Sequence, residues 1–308
     1  MRIGIVGIGG VGGYYGGKLA MAYVGKGTHE VIFIARGETL ETIRKNGLRL
    51  ISTEGEYTIS PTLASYNPEE IGPLDLVIFT MKSYGLDGAA RMLAGNIHRD
   101  TVVLPLLNGV NIAERLRKVL PDCHVLNGCV YISSHIRSPG VIEDKVRRNL
   151  LVFGPDRNED VEKFRPVEKI LQEAGINARL EENANIAIWT KYIFVETLAG
   201  MTSLEGKTAG AVLEKEESRE MLRGMIQEVE SVGRAKGVNL PGDIVESTMK
   251  KVASIPYGTT TSMQLDHQRG NPLELDIFAG YIVEAGKALG VATPLHERVC
   301  KGLTKGTA

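Results

Sequence analysis

One lysine stands out because its neighbours on a helix would all be apolar. It lies in the segment Asn185–Leu198, N-I-A-I-W-T-K-Y-I-F-V-E-T-L, and residues three and four positions apart share one face of a helix. Those neighbours of Lys191 are Ala187, Ile188, Phe194 and Val195. The polar Thr190, Glu196 and Thr197 fall elsewhere, so Lys191 lies on the face that a helix buries. A partly desolvated ammonium in a cleft can give up a proton. Alternatively, the side chain extends past its neighbours to water.

A second group of polar side chains lies in Thr260–Asp276, T-T-S-M-Q-L-D-H-Q-R-G-N-P-L-E-L-D. Ser262 and Asp266 are four apart and share a helix face. The following Gly270-Asn271-Pro272 predicts a second helix that begins at the proline, with the asparagine as its N-cap. Glu274 is then either the carboxylate of a capping box or a catalytic partner, and the sequence leaves both open.

Asn108-Gly109 is the third candidate, because it follows the apolar strand Thr101–Leu106. Open α/β sheets bind ligands at the carboxyl edge of their strands, where this asparagine is expected. The alternative is a turn that uses Asn-Gly for its conformation alone.

The start of the chain carries the pattern G-x-G-x-x-G, written here as Gly7-Ile8-Gly9-Gly10-Val11-Gly12. It follows the buried strand Ile3–Val6 and begins a helix, which is the context of a dinucleotide site. Gly7 allows a tight turn, Gly9 lets the backbone approach a pyrophosphate, and Gly12 lets the helix pack on the strand. Free N–H groups at the helix start hold the anion. The alternative is a glycine-rich turn that binds nothing.

Two cations indicate which dinucleotide binds. The second strand ends Ile34-Ala35-Arg36-Gly37, where an NAD site places an acidic residue for the ribose hydroxyls. A guanidinium suits the 2′-phosphate of NADP, and Lys82, just after the strand Leu76–Thr80, adds a second charge at the same edge. Both could instead be ordinary surface cations, with Glu38 as the ribose ligand. We favour NADP.

The elements that position these residues are predicted as apolar strands alternating with helices, the pattern of a parallel sheet covered on both faces. The first half is expected to contain strands at Ile3–Val6, Glu30–Ala35, Leu74–Thr80 and Thr101–Leu106, helices near 11–21 and 85–93, and a hairpin at 47–60. It continues with a β-rich stretch at 123–154 including Val130–Ser133 and Asn149–Phe153, a helix around 161–174 and a short segment at 178–180.

After Glu181 the apolar residues recur at helical spacing almost to the end of the chain. The breaks fall at Gly237, Pro241, Pro256, Gly270-Asn271-Pro272 and Gly290. We therefore predict an α/β chain with a nucleotide-binding domain at 1–180 and an all-helical domain, carrying the catalytic and substrate residues, at 181–308.

The composition excludes several other classes of protein. A formal net charge of -1 favours neither nucleic acid nor an anionic membrane as a partner. Cys123, Cys129 and Cys300 are too few and too scattered for a disulfide framework or a zinc site, and the histidines form no short metal-binding pair, so no metal is expected. The N-terminus lacks the pattern of a signal peptide and no segment has the length of a membrane span. We expect a cytoplasmic enzyme with reduced cysteines, and a homodimer is left open.

In this order, the motifs make the chain resemble the ketopantoate reductase (2-dehydropantoate 2-reductase) family nearly end to end. The matching residues are Gly7–Gly12, Arg36, Thr80-Met81-Lys82, Asn108-Gly109, Trp189-Thr190-Lys191, Ser262-Met263 with Asp266, Glu274, and Thr293-Pro294. The resemblance implies a Rossmann-type NADP-binding domain and an all-helical domain, with the active site in the cleft between them. It also implies that NADPH reduces ketopantoate to (R)-pantoate, a step toward pantothenate and coenzyme A.

The resemblance further implies a role for each matching residue. Lys191 would be the general acid toward the carbonyl oxygen, and Glu274 would bind the substrate hydroxyl and help to orient that lysine. Ser262, with Asp266 nearby, would bind the substrate, and Asn108 would lie near both nicotinamide and substrate. Arg36 and Lys82 would hold the 2′-phosphate.

Three positions depart from the family pattern. Val195 and Ala199 stand four and eight residues after the lysine, where the family usually has asparagine, and Thr259 stands where asparagine is frequent. These amides line the substrate pocket in relatives, so a reductase of another 2-oxo acid is the second hypothesis. A regulatory protein that binds NADP without turnover is the third, and the presence of both Lys191 and Glu274 argues against it.

Overall fold

The computed structural model describes residues 1–145, 149–155 and 159–304. The strands are β1 Arg2–Val6, β2 Glu30–Ile34, β3 Leu48–Ser52, β4 Gly55–Ile59, β5 Leu63–Ser65, β6 Leu74–Phe79, β7 Ile97–Pro105, β8 His124–Val125, β9 Asn127–Tyr131, β10 Ser134–Ser138, β11 Val141–Asp144, β12 Leu150–Gly154 and β13 Ala178–Leu180. The helices are α1 Gly10–Tyr23, α2 Gly37–Asn46, α3 Pro68–Ile71, α4 Leu86–Leu93, α5 Ile112–Val119, α6 Arg165–Glu173, α7 Asn185–Glu205, α8 Ala209–Glu214, α9 Glu216–Ala235, α10 Ile244–Ser254, α11 Ser262–Gln268, α12 Ala279–Leu289 and α13 Pro294–Thr304.

The chain divides into two compact units. The first consists of Met1–Leu107 and Asn111–Ala184, and the second of Asn185–Ala308 together with the short segment Asn108–Val110. The contacts between residues therefore place the boundary between the two units after Ala184, slightly later than the predicted residue 181. They also assign to the helical unit a segment that follows β7 in the chain.

The first unit is built on a six-stranded sheet in the order β5-β2-β1-β6-β7-β8. All of its strand pairs are parallel, which confirms the predicted parallel sheet. After Arg2, the central strand β1 is apolar, and its Ile3 and Ile5 are fully buried, because helices cover both faces of such a sheet. The chain crosses from β1 to β2 through α1, so the glycine loop lies at the carboxyl end of the central strand.

Two smaller sheets complete the first unit. One has the order β10-β11-β3-β4 and the other β13-β12-β9. The predicted hairpin at 47–60 is β3–β4, but its union with β10 and β11 was not predicted. The predicted strand Val130–Ser133 is wrong in its bounds, because β9 ends at Tyr131 and β10 begins at Ser134 in a different sheet.

The described part of residues 185–304 folds as helices α7 to α13 and contains no strand, as predicted. Helix α7 is central and packs against α8, α9, α10, α11, α12 and α13. Both of its sides are therefore buried, so polar residues such as Glu196 and Thr197 are as inaccessible as its apolar ones. In the described part of the chain, no helix combines the length and the apolar character needed to cross a membrane.

The predicted helix beginning at Pro272 is wrong. Residues 271–274 have no regular secondary structure, and the next helix, α12, begins only at Ala279. The reason is that Asn271 forms hydrogen bonds with the preceding helix, α11, instead of capping a following one. After Gly270 turns the chain with a φ of 69°, the Asn271 N–H donates to the Asp266 carbonyl oxygen at 2.9 Å and its side-chain amide donates to the Asp266 carboxylate at 3.1 Å. Its side chain therefore closes α11.

Candidate active site

Lys191 lies on α7 with only 8% of its surface exposed. Its Nζ donates a hydrogen bond to Oδ1 of Asn108 at 2.6 Å. Ile188, one turn earlier, is buried and Phe194 and Val195 are half-buried, as an apolar helix face requires. The ammonium thus ends on an amide oxygen within the helical unit, in contrast to the alternative in which it extends to bulk water.

Asn108 reaches this lysine because the segment Asn108–Val110 belongs to the helical unit. Gly109 does not have the positive φ of a turn that depends on glycine, but turns without a positive φ stay possible for this segment. An amide oxygen is a pure acceptor and can fix the direction of an ammonium without neutralising its charge. The Asn108 side chain therefore fixes the direction of the Lys191 side chain.

Glu274 is also buried, with 8% of its surface exposed. It lies in the irregular segment after α11, and no helix begins at residue 272 for it to cap. The capping-box explanation for this glutamate therefore does not apply. A buried carboxylate has its charge compensated or used by neighbouring groups, and the catalytic role of Glu274 stays a hypothesis.

Ser262 is the first residue of α11 and is exposed. The N-cap is its neighbour Thr261, whose hydroxyl accepts from the Gln264 N–H at 3.2 Å and lies 2.9 Å from the Thr202 hydroxyl of α7. The serine hydroxyl is thus not used as the cap. Asp266 follows one turn later on the same helix, as predicted, but its carboxylate accepts from Asn271 and helps to end α11.

The glycine loop has the features of a pyrophosphate site. Gly7 has a φ of 90°, and a Cβ on Gly12 would lie 2.0 Å from the Gly7 carbonyl oxygen, so neither position accepts a side chain. The Thr80 hydroxyl fixes the turn by donating to the carbonyl oxygens of Val6 at 3.0 Å and Gly7 at 2.7 Å. Gly9 is the N-cap of α1 and supplies no side-chain cap, which leaves the first N–H groups of a 14-residue helix for an anion.

The remaining predicted residues surround this loop within the first unit. Ile8 is buried in the core and Val11 packs against it, so these two contribute backbone rather than side chains. Arg36 is exposed at the N-cap of α2, directly after β2, and Lys82 is half-buried just after β6. Because β2 and β6 both pair with β1, the two cations flank the glycine loop.

A buried ionic cluster in the helical unit was not predicted. His296 is fully buried and its Nε2 lies 3.0 Å from the Glu196 carboxylate, while its Nδ1 lies 2.5 Å from that of Glu228. Burial lowers the pKa of His296, but the charges and hydrogen bonds of the two glutamates outweigh this and raise it to about 9. Glu196 had been expected off the buried face. No local pattern signals the cluster, since its members lie far apart in the chain.

Cys123 carries no thiolate chemistry. Burial raises the pKa of its thiol to about 11. The adjacent His124 bonds through Nδ1 to Glu159 at 3.0 Å.

A glycine loop of this form, followed later in the chain by a helical unit with a buried, oriented lysine, is typical of a dinucleotide-dependent reductase. Comparison with known proteins agrees. The family model "Ketopantoate reductase PanE/ApbA" matches residues 3–157 and its C-terminal counterpart matches residues 183–305. The chain therefore belongs to the ketopantoate reductase family.

Individual relatives span the whole chain. The uncharacterized oxidoreductase YkpB of Bacillus subtilis is 32% identical over 98% of each chain. The crystal structure of 2-dehydropantoate 2-reductase from Porphyromonas gingivalis is 32% identical, with a TM-score of 0.86 over 99% of each chain. A D-mandelate dehydrogenase, solved with NADH and anilino(oxo)acetate, has a TM-score of 0.88 over 100% of this chain and 98% of its own, and at 20% identity it shares the fold. The protein is an oxidoreductase, and a nicotinamide dinucleotide is the supported cofactor.

Proposed function

We propose that the protein reduces 2-dehydropantoate to (R)-pantoate with NADPH, and that Lys191 is the general acid. The observation that carries the proposal is the buried ammonium of Lys191 held by Asn108 at 2.6 Å. A further support is family membership over both parts of the chain.

The residues of the helical unit suit a carbonyl reduction. Bound nicotinamide would supply hydride to the ketone carbon, so negative charge develops on the carbonyl oxygen. An ammonium near that oxygen stabilises the charge and transfers a proton to it, which completes the alcohol. Because Asn108 fixes the ammonium in advance, little reorganisation is needed during the reaction. Glu274 would bind the substrate hydroxyl and orient Lys191, and Ser262 would bind the carboxylate with Asp266 supporting its helix.

The residues of the first unit suit NADP. Gly7 and Gly12 accept no side chain, and Gly9 leaves open space beside its backbone, where a pyrophosphate must approach closely. Arg36 stands at the end of β2, where the adenosine ribose is expected, and its guanidinium would pair with the 2′-phosphate. Lys82 adds a second positive charge on the other side of the loop.

The test is the variant Lys191→Met, which keeps the length and apolar character of the side chain and removes the proton donor. We expect a loss in kcat of about 10²–10⁴-fold, measured as NADPH oxidation with 2-dehydropantoate, with NADPH binding retained. Lys301→Met, at an exposed position of α13, is the matched control and should retain full activity. Turnover close to that of the unmodified protein in Lys191→Met would exclude this lysine as the acid.

A second candidate is the reduction of another 2-oxo acid, and the face of α7 next to Lys191 favours it. Val195 and Ala199, one and two turns further along, are apolar, the former half-buried and the latter buried. They offer no hydrogen bond to a substrate hydroxyl, and sites discriminate most sharply through such bonds. The decisive comparison is 2-dehydropantoate against 3,3-dimethyl-2-oxobutanoate, which lacks only that hydroxyl. A higher kcat/KM for the deoxy compound would favour the second candidate.

A further inference from the structure

Strand β10 lies directly on the first turn of α1. The hydroxyl of Ser134 donates to the Gly10 carbonyl oxygen at 2.7 Å. A Cβ on Gly10 would come within 2.4 Å of the Ser134 carbonyl oxygen. Gly10 must therefore be a glycine, because any side chain at this position would collide with β10. One turn later, a Cβ on Gly13 would lie 2.4 Å from Cγ1 of Ile142 on β11, so the β10–β11 hairpin is held against α1 at two points.

Ile136 is placed by this packing at the mouth of the glycine loop. It is two residues after Ser134, so both side chains point from the same face of β10. Its Cδ1 lies 3.9 Å from the position of a Cβ on Gly9, and apart from Gly9 and its two chain neighbours no other atom in the described part of the chain comes within 4 Å of that position. Gly9 is the residue at which a dinucleotide pyrophosphate approaches the backbone most closely.

The exposure of Ile136 is unusual for its surroundings. Its cross-strand partner Ile142 is fully buried, whereas Ile136 is 54% exposed. The pairing register shifts between Ile136 and Ser138, and such bulges re-aim side chains next to functional sites. The neighbouring His135 lies on the opposite face of β10, where its Nε2 is 3.2 Å from the Glu143 carboxylate. The face of β10 toward the loop is therefore uncharged, with a hydroxyl already bonded to α1 and one open isoleucine.

We propose that Ile136 is a cofactor-contacting residue and forms the outer wall of the pyrophosphate site. The bound dinucleotide covers its side chain, and the side chain excludes water from the bonds between phosphate oxygens and the N–H groups at the start of α1. Charge-assisted hydrogen bonds gain strength when water is kept out. The inference rests on the glycine loop being the dinucleotide site, and it assigns a role to a strand outside the βαβ unit.

The test is direct binding of NADPH and of NADH by calorimetry, which needs no turnover. Ile136→Asp places a negative charge beside the phosphates and is expected to raise both Kd values about tenfold or more. Ile136→Ala is expected to raise both about threefold through lost apolar contact. Because the side chain is exposed, neither variant should alter folding. The effect must be the same for both dinucleotides, since they share the pyrophosphate.

Two controls separate the inference from general effects. Met21→Asp puts the same charge at an exposed apolar position elsewhere, on α1, where the side chain is 39% exposed. His135→Ala changes the opposite face of β10. Both variants should leave Kd within about twofold. Equal binding by Ile136→Asp and the unmodified protein would overturn the inference alone. An effect on NADPH only would also overturn it, because it would place Ile136 at the 2′-phosphate. Failure of the unmodified protein to bind either dinucleotide would overturn the cofactor site itself.

Discussion

His296 makes the stability of the helical unit depend on pH in a range where most proteins show little change. Carboxylates only accept hydrogen bonds, so the contacts of Nε2 with Glu196 and of Nδ1 with Glu228 require both ring nitrogens to donate. The bound form is therefore the imidazolium. Glu228 also accepts from the N–H groups of Leu295 and His296 at 2.9 and 3.1 Å, which ties the start of α13 to α9.

The magnitude follows from the pKa. A change from the ordinary 6.5 to about 9 corresponds to about 3 kcal/mol, because a tenfold change in proton affinity is worth about 1.4 kcal/mol. The group is fully buried, so solvent screening reduces this little. The folded state holds the proton more tightly than the unfolded state, so the stabilisation is complete below pH 6.5. It is lost progressively as the pH rises through 9.

The assay is urea unfolding between pH 6 and pH 9.5, followed by tryptophan fluorescence. Trp189 is the only tryptophan of the chain and is buried in α7, so its emission reports the helical unit. We expect the free energy of unfolding to fall by about 3 kcal/mol over this range. His296→Gln, which has no titratable ring, should be less stable at pH 6 and should lose this part of the pH dependence. His98→Gln, at an exposed histidine, is the matched control.

Parallel pH profiles for the unmodified protein and His296→Gln would refute the reasoning. Such a result would mean that the imidazole is neutral when folded, in spite of its two carboxylate partners.

The other predictions concern the two binding regions. Arg36→Ala should raise the Kd of NADPH about tenfold or more and leave that of NADH within about twofold; equal weakening of both in calorimetry would contradict the phosphate assignment. Gly12→Ala should abolish dinucleotide binding and lower the melting temperature, because its Cβ would meet a carbonyl oxygen at 2.0 Å, whereas Gly88→Ala, with open space on α4, should be neutral or stabilising. Glu274→Gln should lower kcat/KM for the 2-oxo acid about 10–100-fold without changing the Kd of NADPH, and the exposed Glu284→Gln should have no effect on either.

Local patterns were enough to predict the four central strands of the parallel sheet and the glycine loop, whereas the short strands β5 and β8 at its edges were not predicted. The central strands are largely buried and show as apolar runs, and the loop residues follow from backbone geometry at Gly7 and Gly12. The burial of Lys191 was predicted for the same reason, because its neighbours at helical spacing are apolar. In these cases the determinant lies within a few residues of the feature.

Partners that are distant in the chain could not be predicted in this way. The small sheet joins β3 and β4 to β10 and β11, and only the spacing of Gly10, Gly13 and Gly17 along α1 hints that something packs closely there. Asn271 was predicted to cap the helix after it, since the pattern of asparagine and proline is correct for that role. Asn271 instead forms its hydrogen bonds with Asp266 of the preceding helix, and for this reason no helix begins at Pro272.

Helix α7 shows why the site and the scaffold cannot be separated by sequence pattern alone. An amphipathic interpretation assumes one buried face, but helices pack on both sides of α7, so Glu196 and Lys191 are both buried in different directions. Each charge is then matched by a partner from elsewhere in the chain, His296 for the glutamate and Asn108 for the lysine. The first match is between groups of opposite charge and adds stability. The second is a hydrogen bond from an amine to an amide oxygen, which fixes the direction of the Lys191 side chain. A proton donor that is held in one direction before the substrate binds suits catalysis, and this is the physical reason to test Lys191 as the general acid.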